Sequence, residues 1–422
     1  MTRKNKEEEM KDKKAQASAS RATNMNDDTP ISASADEERQ LIQEELQRKQ
    51  LMALFAILAA MLLSVLGLFY RYVRQPAPLP QIVPLVNVNY PPHYLFSIYG
   101  VDQPVGVALS PDGERVYIAE TGGERLIKVS DREGTPLFSF SPPQTTPAQR
   151  SPVYLAVDSS GNVFTTDRLQ NAVFIYDQDG NYLDAMLAPN LTLNSYAASQ
   201  VGGITGGTTF NYNVFTDSVH YQDSQKADKT LPAPEVPAWD PLGVRFDPSG
   251  NLWLTDVAGT NHLVRKFPAA DLVGWPKSSF QPAQTSFGKT GQNPGEFLYP
   301  NVAVVDSQNR IYVADGNNGR VSAWDAQGRY LFQFGRGSGD GELSLPRGMF
   351  IDGRDRLHVV DAVDQNVKVY DVSGQEPIFL YAFGDWGLED GLFNYPNDIV
   401  LDGSGRLYIA DRENNRVQVW SY

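Results

Sequence analysis

The chain has 422 residues, with 36 Lys plus Arg against 50 Asp plus Glu and a formal charge of −14. That balance argues against a nucleic-acid binder, because phosphate affinity comes from clustered Lys and Arg. There is no Cys and there are four His, which excludes disulfide frameworks, zinc–thiolate and iron–sulfur sites and thiol nucleophiles, and makes a multi-histidine metal site unexpected.

Residues 1–35 are polar and mixed in charge and contain the run AQASAS. Such a segment buries too little apolar surface to offset its ordering entropy and is expected to be disordered. Residues 36–50, DEERQLIQEELQRKQ, place Leu41, Ile42 and Leu46 at helical spacing, with acids leading and Arg48 and Lys49 closing. A juxtamembrane helix is expected there. It runs into a transmembrane helix over 51–73, whose first twenty residues, LMALFAILAAMLLSVLGLFY, carry no charge. At about 1.5 Å per residue those twenty span roughly 30 Å, the thickness of bilayer hydrocarbon. Tyr70 and Tyr72, with Arg71 and Arg74 beside them, sit where an interfacial belt belongs. A cleaved signal peptide is disfavoured by the length of the run and by the lack of a small-residue cleavage pattern after it. The near flanks carry three Lys or Arg on the N-side and two on the C-side, and the wider tail adds seven. An N-terminus in the cytoplasm and an extracytoplasmic C-terminal domain are therefore expected. Residues 75–92 hold six Pro and suit a semi-rigid polyproline II spacer.

From residue 93 the text repeats. The phrase is Pro, an apolar strand, Asp with Gly or Asn, and a second apolar strand ending in an acid. A polar turn and a third strand follow. It reads PVGVALSPDGERVYIAE from Pro104, PVYLAVDSSGNVFTTD from Pro152 and PLGVRFDPSGNLWLTD from Pro241. It returns as PNVAVVDSQNRIYVAD from Pro300, PRGMFIDGRDRLHVVD from Pro346 and PNDIVLDGSGRLYIAD from Pro396. The intervals between these prolines are 48, 89, 59, 46 and 50 residues, a period near 47 with two long insertions. Repeats of about 40–50 residues built from short strands indicate a β-propeller. The last copy stops at a third strand, RVQVWSY, and YLFSIYG at 94–100 resembles the fourth strand YLFQFG at 330–335. The N-terminal strand is thus expected to complete the last blade and close a ring of six four-stranded blades, removing the open edge.

The pattern resembles the NHL-repeat family, best at YIADRENNRVQVW (408–420) and YVADGNNGRVSAW (312–324), over about 330 residues. The resemblance implies an all-β six-bladed propeller over 93–422, with insertions at 188–239 and 268–293. In propellers of this kind the d-to-a and b-to-c connections share one face, so the insertion at 188–239 is expected there, near the channel mouth, as a partner-binding lid or as an extra piece of blade. The insertion at 268–293 is expected on the opposite face. The face of the d-to-a and b-to-c connections should carry a polar arc of Asn301, Arg347, Asn397 and Asp398, with Arg168 and Arg412 from b-to-c turns, as candidate ligand-binding residues. The repeated acids Asp167, Asp256, Asp315, Asp361 and Asp411 read as caps for backbone N–H groups, one per blade, and not as metal ligands.

The segment LTDVAGTNHLVRKF at 254–267 resembles a zinc-binding segment of amidating lyases, with His262 as the ligand, but His93, His220 and His358 do not fall at equivalent repeat positions. Lactonase-type propellers hold calcium through carboxylates and Asn, to which Asn301, Asn397 and Asp398 could contribute, while Val105, Val153 and Leu242 on the facing blades oppose a fully polar cage. No catalytic residue, metal or cofactor is assigned. Residues 93–422 hold 24 Lys plus Arg and 39 Asp plus Glu, a balance of −15, so the domain's field repels phosphate. The expected role is a membrane-anchored binding or sensor module for protein, peptide or glycan partners. The alternatives are a metal-dependent lyase or hydrolase at the channel mouth and a structural envelope scaffold.

Overall fold

The computed structural model describes residues 32–74, 90–202, 208–337 and 339–422. The expected disorder over most of 1–35 and the polyproline spacer over most of 75–92 lie outside the described residues.

Ser32–Arg74 is a single helix, α1, of 43 residues. The two helices expected over 36–50 and 51–73 are therefore continuous, and the helix begins four residues earlier than expected. Its sequence is rich in Ala, Leu, Glu, Gln, Arg and Lys, all good helix formers, and Gly67 is its only weak position. Within it, Glu45–Gly67 is long and apolar enough to cross a bilayer. The apolar side chains from Leu51 to Leu66 are exposed. This helix and the β-domain are separate units.

The β-domain contains six antiparallel blades. Blade one runs Pro104–Leu109, Arg115–Glu120, Ile127–Asp131 and Pro136–Phe140 as strands a to d. Blade two runs Pro152–Val157, Val163–Asp167, Ala172–Tyr176 and Tyr182–Ala188. Blade three is Pro241–Phe246, Leu252–Asp256, Leu263–Phe267 and Thr285–Phe287. Blade four is Pro300–Val305, Ile311–Asp315, Arg320–Trp324 and Tyr330–Phe334. Blade five is Pro346–Ile351, Arg356–Asp361, Asn366–Asp371 and Ile378–Phe383. Blade six takes Pro396–Leu401, Arg406–Asp411 and Arg416–Ser421, and its fourth strand is His93–Ile98.

The a strands contact one another in the order of blades one to six, and blade six touches blade one, so the ring is closed. Their third positions alternate in size. Blades one, three and five carry Gly106, Gly243 and Gly348, where an added Cβ would overlap the backbone of the next strand a. Blades two, four and six carry Tyr154, Val302 and Asp398. This alternation lets six strands approach around one axis with the larger side chains filling the space.

Closure occurs as the sequence implies. His93–Ile98 pairs antiparallel with Arg416–Ser421, from His93 opposite Ser421 to Ile98 opposite Val417. The Tyr94 ring meets Trp420 edge-on at 6.0 Å. The strand ends two residues earlier than expected, and Gly100, at φ +84°, turns the chain toward blade one.

The insertion at 188–239 contributes a fifth strand to blade two (Leu191–Thr192), a helix α2 (Leu193–Val201) and a separate three-stranded sheet of Phe210–Asn213, Ser218–Gln222 and Asp228–Pro232. Thr192 caps α2 by accepting the Ser195 N–H at 3.2 Å. The small sheet reuses blade chemistry. Asp223 Oδ1 accepts the N–H groups of Gln225 and Ala227, both at 2.9 Å, as Asp177 Oδ1 accepts those of Asp179 and Asn181 at the c-to-d turn of blade two. It is a piece of blade with b, c and d counterparts and no strand a. Leu193, Ala197, Phe210, Tyr212 and Val219 join the apolar core of blades one and two.

In blade three the segment between strands c and d is 268–284, shorter than the expected 268–293, because the three residues Thr285–Phe287 form strand d. Leu272, Trp275 and Phe280 pack into the main core. The Lys277 N–H donates to Asp184 Oδ2 at 2.9 Å, which ties this loop to the outer strand of blade two.

Candidate binding site at the channel mouth

The strand b acids sit at the same place in each blade, and each is engaged by backbone. Asp315 Oδ1 accepts the Leu298 N–H and Asp411 Oδ1 the Asn394 N–H, both at 2.7 Å. Asp361 accepts from Ser344 at 2.7 Å and Leu345 at 3.0 Å, Asp256 from Asp240 at 3.0 Å and Asp167 from Ser151 at 2.9 Å. Glu120 does the same in blade one, taking the Asp102 N–H at 2.9 Å. Each carboxylate thus pins the d-to-a loop that precedes its blade. Burial pushes Asp167 up to about 6 against three backbone N–H donors, and burial raises Asp315 and Glu120 as well. In blades four and six an Arg five residues on completes the clamp. Arg320 Nε and Arg416 Nε each lie 2.8 Å from the carboxylate, and their other nitrogens donate to loop carbonyls such as Glu296 and Leu392.

With the loops fixed, the channel opens on their face as a cleft of about 440 Å³ to which all six blades contribute. Five of the six expected residues line it: Arg168, Asn301, Arg347, Asn397 and Arg412. Asn301 Nδ2 donates to the Pro346 carbonyl at 3.3 Å, and its Oδ1 accepts from Arg347 Nη1 at 2.9 Å. Arg347 Nη2 donates to Tyr395 Oη at 3.3 Å, and the Nε of Arg347 has no hydrogen-bond partner among the described residues. Asn397 Nδ2 donates to the Val105 carbonyl at 3.0 Å and to Tyr154 Oη at 3.2 Å. Arg412 lies over the Tyr395 ring at 5.8 Å, its Nε likewise without a hydrogen-bond partner. Arg168 pairs with Asp240 at 2.9 Å. Val105, Val153 and Leu242 form an apolar side.

Asp398 is not part of the lining. It is fully buried. Strand a descends the channel wall from its Pro, so the residue after Asn397 lies deeper. There Oδ2 accepts the Val107 N–H of blade one at 3.1 Å, and Oδ1 pairs with Arg245. Burial raises the Asp398 carboxyl, and Arg245 opposes that shift. Arg245 belongs to blade three, so this pair bridges opposite blades across the channel. The sequence carried a signal for it: Arg245 is the single basic residue at the fifth position of a strand a. Arg125, Tyr154 and Tyr395 also line the cleft and escaped the sequence reading. Arg125 sits in a b-to-c turn that lacks the Asn of the other copies, and the tyrosines look like ordinary core residues.

The insertion contacts the d-to-a loop of blade two through Asn213 Nδ2, which donates to the Gln144 carbonyl at 2.9 Å, and a b-to-c turn through the Val214 N–H and Gln170 Oε1 at 2.9 Å. It therefore lies on the expected side but at the outer rim, because its apolar face is taken up by the outer strands of blades one and two. None of its described residues lines the mouth. The four histidines occupy four separate settings. His262 is buried in a b-to-c turn with Nδ1 3.3 Å from the Phe297 carbonyl, and His358 Nε2 lies 2.5 Å from Tyr422 Oη. His220 bonds Ser218 Oγ at 2.9 Å in the insertion, and His93 begins the closing strand.

Residues 393–420 match the family model of the NHL repeat, and 301–379 match a model described as a 6-bladed β-propeller. This is a six-bladed propeller that carries an NHL repeat. A 49-residue stretch is 47% identical to the protein brain tumor of Drosophila melanogaster, covering 12% of this chain and 5% of that protein. Among solved structures, the chain is similar to selenomethionine-substituted virginiamycin B lyase from Staphylococcus aureus, at 13% identity and a TM-score of 0.48, over 79% of this chain and 99% of that one. It is also similar to a protein of unknown function from Bacteroides caccae, at 9% identity and a TM-score of 0.45, over 70% and 82% of the two chains.

Proposed function

We propose that this chain is a single-pass membrane protein whose NHL propeller stands outside the cytoplasm. There it binds a protein, peptide or glycan partner through the face that carries the channel mouth and the insertion. One observation carries the binding reading. The acids of the ring are committed to loop backbone, whereas the mouth gathers Arg125, Arg168, Arg347 and Arg412 with Asn301 and Asn397 and is lined by no carboxylate among the described residues. Such an arrangement suits recognition, in which a few convergent polar groups fix a ligand over a partly apolar floor. The membrane reading rests on Glu45–Gly67 and on the larger number of Lys and Arg on the N-side of the apolar run than on its C-side flank.

One variant set tests both parts. The chain has no native Cys, so Gln327→Cys, at an exposed turn of blade four, gives a unique thiol. A membrane-impermeant maleimide should label it in intact cells; labelling only after lysis would place the propeller on the other side. Native-membrane crosslinking followed by purification should lose its specific partners in Arg347→Gln/Arg412→Gln. It should keep them in Arg329→Gln, whose side chain is 78% exposed on a c-to-d turn. Partners retained by the double variant would remove the mouth from the interaction.

A further inference from the structure

We infer that the channel mouth takes a carboxylate group from an acidic, partly apolar segment of a protein partner. This rests on the binding reading above and assigns it a ligand class. The lining contains four arginines, Arg125, Arg168, Arg347 and Arg412, and no carboxylate. The domain around it carries an excess of 15 acids, so the segregation runs against its composition.

Two of the four guanidinium groups, those of Arg125 and Arg347, are oriented by neutral acceptors and not by an acid. Arg125 donates to the carbonyls of Thr121, Pro147 and Arg150 at 3.1–3.2 Å. Arg347 is held by the Asn301 amide oxygen and the Tyr395 hydroxyl. Arg412 lies over the Tyr395 ring and pairs with Glu413 at 3.3 Å, with both side chains partly exposed. Arg168 alone has a well-placed acid, Asp240. Deeper in the channel, Asp398 would repel an entering anion, but Arg245 compensates it. Neutral acceptors that aim a guanidinium leave its charge for a ligand, and arginine–carboxylate bonds are among the stronger ones available.

The choice of a protein carboxylate over a nucleic acid follows from the surroundings. A polyphosphate chain would meet the acidic field at every nucleotide, whereas a segment with one or two acids meets it little. A single-strand binder also needs open aromatic faces. Here Tyr154 is buried and Arg412 lies over Tyr395. The apolar side formed by Val105, Val153 and Leu242 suits an aliphatic side chain next to the acid better than it suits a sugar.

The test uses the full chain in detergent micelles and four fluorescent probes. These are a Glu-Val-Glu-Val peptide, its Gln-Val-Gln-Val counterpart, a hexauridylate and an oligogalacturonate. The Glu peptide should bind at least about tenfold more tightly than the Gln peptide, the effect of one charge-assisted contact. That binding should weaken with salt, fall by at least about tenfold in Arg347→Gln/Arg412→Gln, and stay unchanged in Arg329→Gln. Arg412→Gln alone should give a smaller loss, and it serves as the readout if the double variant melts early. Equal binding of the two peptides overturns the carboxylate assignment. So does tighter, Arg412-dependent binding of the hexauridylate or the galacturonate, which would reassign the mouth to that class. If the peptides fail while the double variant still loses its crosslinked partners, the ligand class is wrong and the binding reading survives. If partners persist, the binding reading itself fails.

Discussion

Asp411 and Arg416 are both buried, with side-chain exposures of 0% and 4%. Asp411 holds the Asn394 N–H while Arg416 holds the carbonyls of Glu389 and Leu392, so the pair grips both polarities of one loop. Removing one partner strands the other in a dry site, which costs about 3–5 kcal/mol. Asp411→Ala should therefore lower the unfolding free energy in urea by that order. Arg329→Ala, at the exposed Asp325 pair, should change it by less than about 1 kcal/mol. Equal effects would show that the clamp contributes nothing special. The acids were readable in the sequence because they recur at one repeat position. The mouth was only partly readable: Arg412 was expected there from its repeat position, whereas Arg125 lies in a turn without the Asn of the other copies.

Two buried groups respond to acid in opposite directions. Burial holds the His358 imidazole down to about 4, against the opposing charge of Asp352, and its ring bonds Tyr422. The folded state stays neutral where the unfolded chain takes up a proton, so this site loses stability as pH falls from about 6.5 toward 4. Burial instead raises Asp184 to about 6, despite the N–H groups of Lys277 and Asn194. That site keeps its proton when folded, so its contribution is full below about 4 and is lost as pH rises through 6. In chemical denaturation, the advantage of wild type over His358→Gln should shrink from pH 7 to pH 4, and that over Asp184→Asn should grow. Parallel trends would contradict both assignments.

At the scale of elements, the closing strand carries the most consequence for its length. His93–Ile98 covers the edge of Arg416–Ser421 and buries Ile98, and Tyr94 packs on Trp420. Without it, blade six would end in an unpaired strand, a template for association. A chain beginning at Tyr99 should melt at a clearly lower temperature than one beginning at Tyr90, and it should form oligomers in light scattering. Identical melting and mass would mean that the seam is dispensable. This strand was legible because YLFSIYG repeats the text of another blade. An extra piece of blade was among the expectations for the insertion, but helix α2 and the bounds of the strands after it were not legible, because they lack the Pro-led strand a phrase. Their turns use Asn213 and Asp223, local chemistry that many loops share.

At the scale of the whole molecule, the chain's order has a mechanical consequence. The apolar helix α1 ends at Arg74, and the first strand that follows it in the β-domain is the one that seals the ring. Any force passed along the intervening residues enters the propeller at its latch and not at a blade built wholly from neighbouring chain. A pull on the chain from the side of the helix would load the seam between the first and last strands of the propeller, so the same six residues that make the ring whole are also the place where tension would first open it.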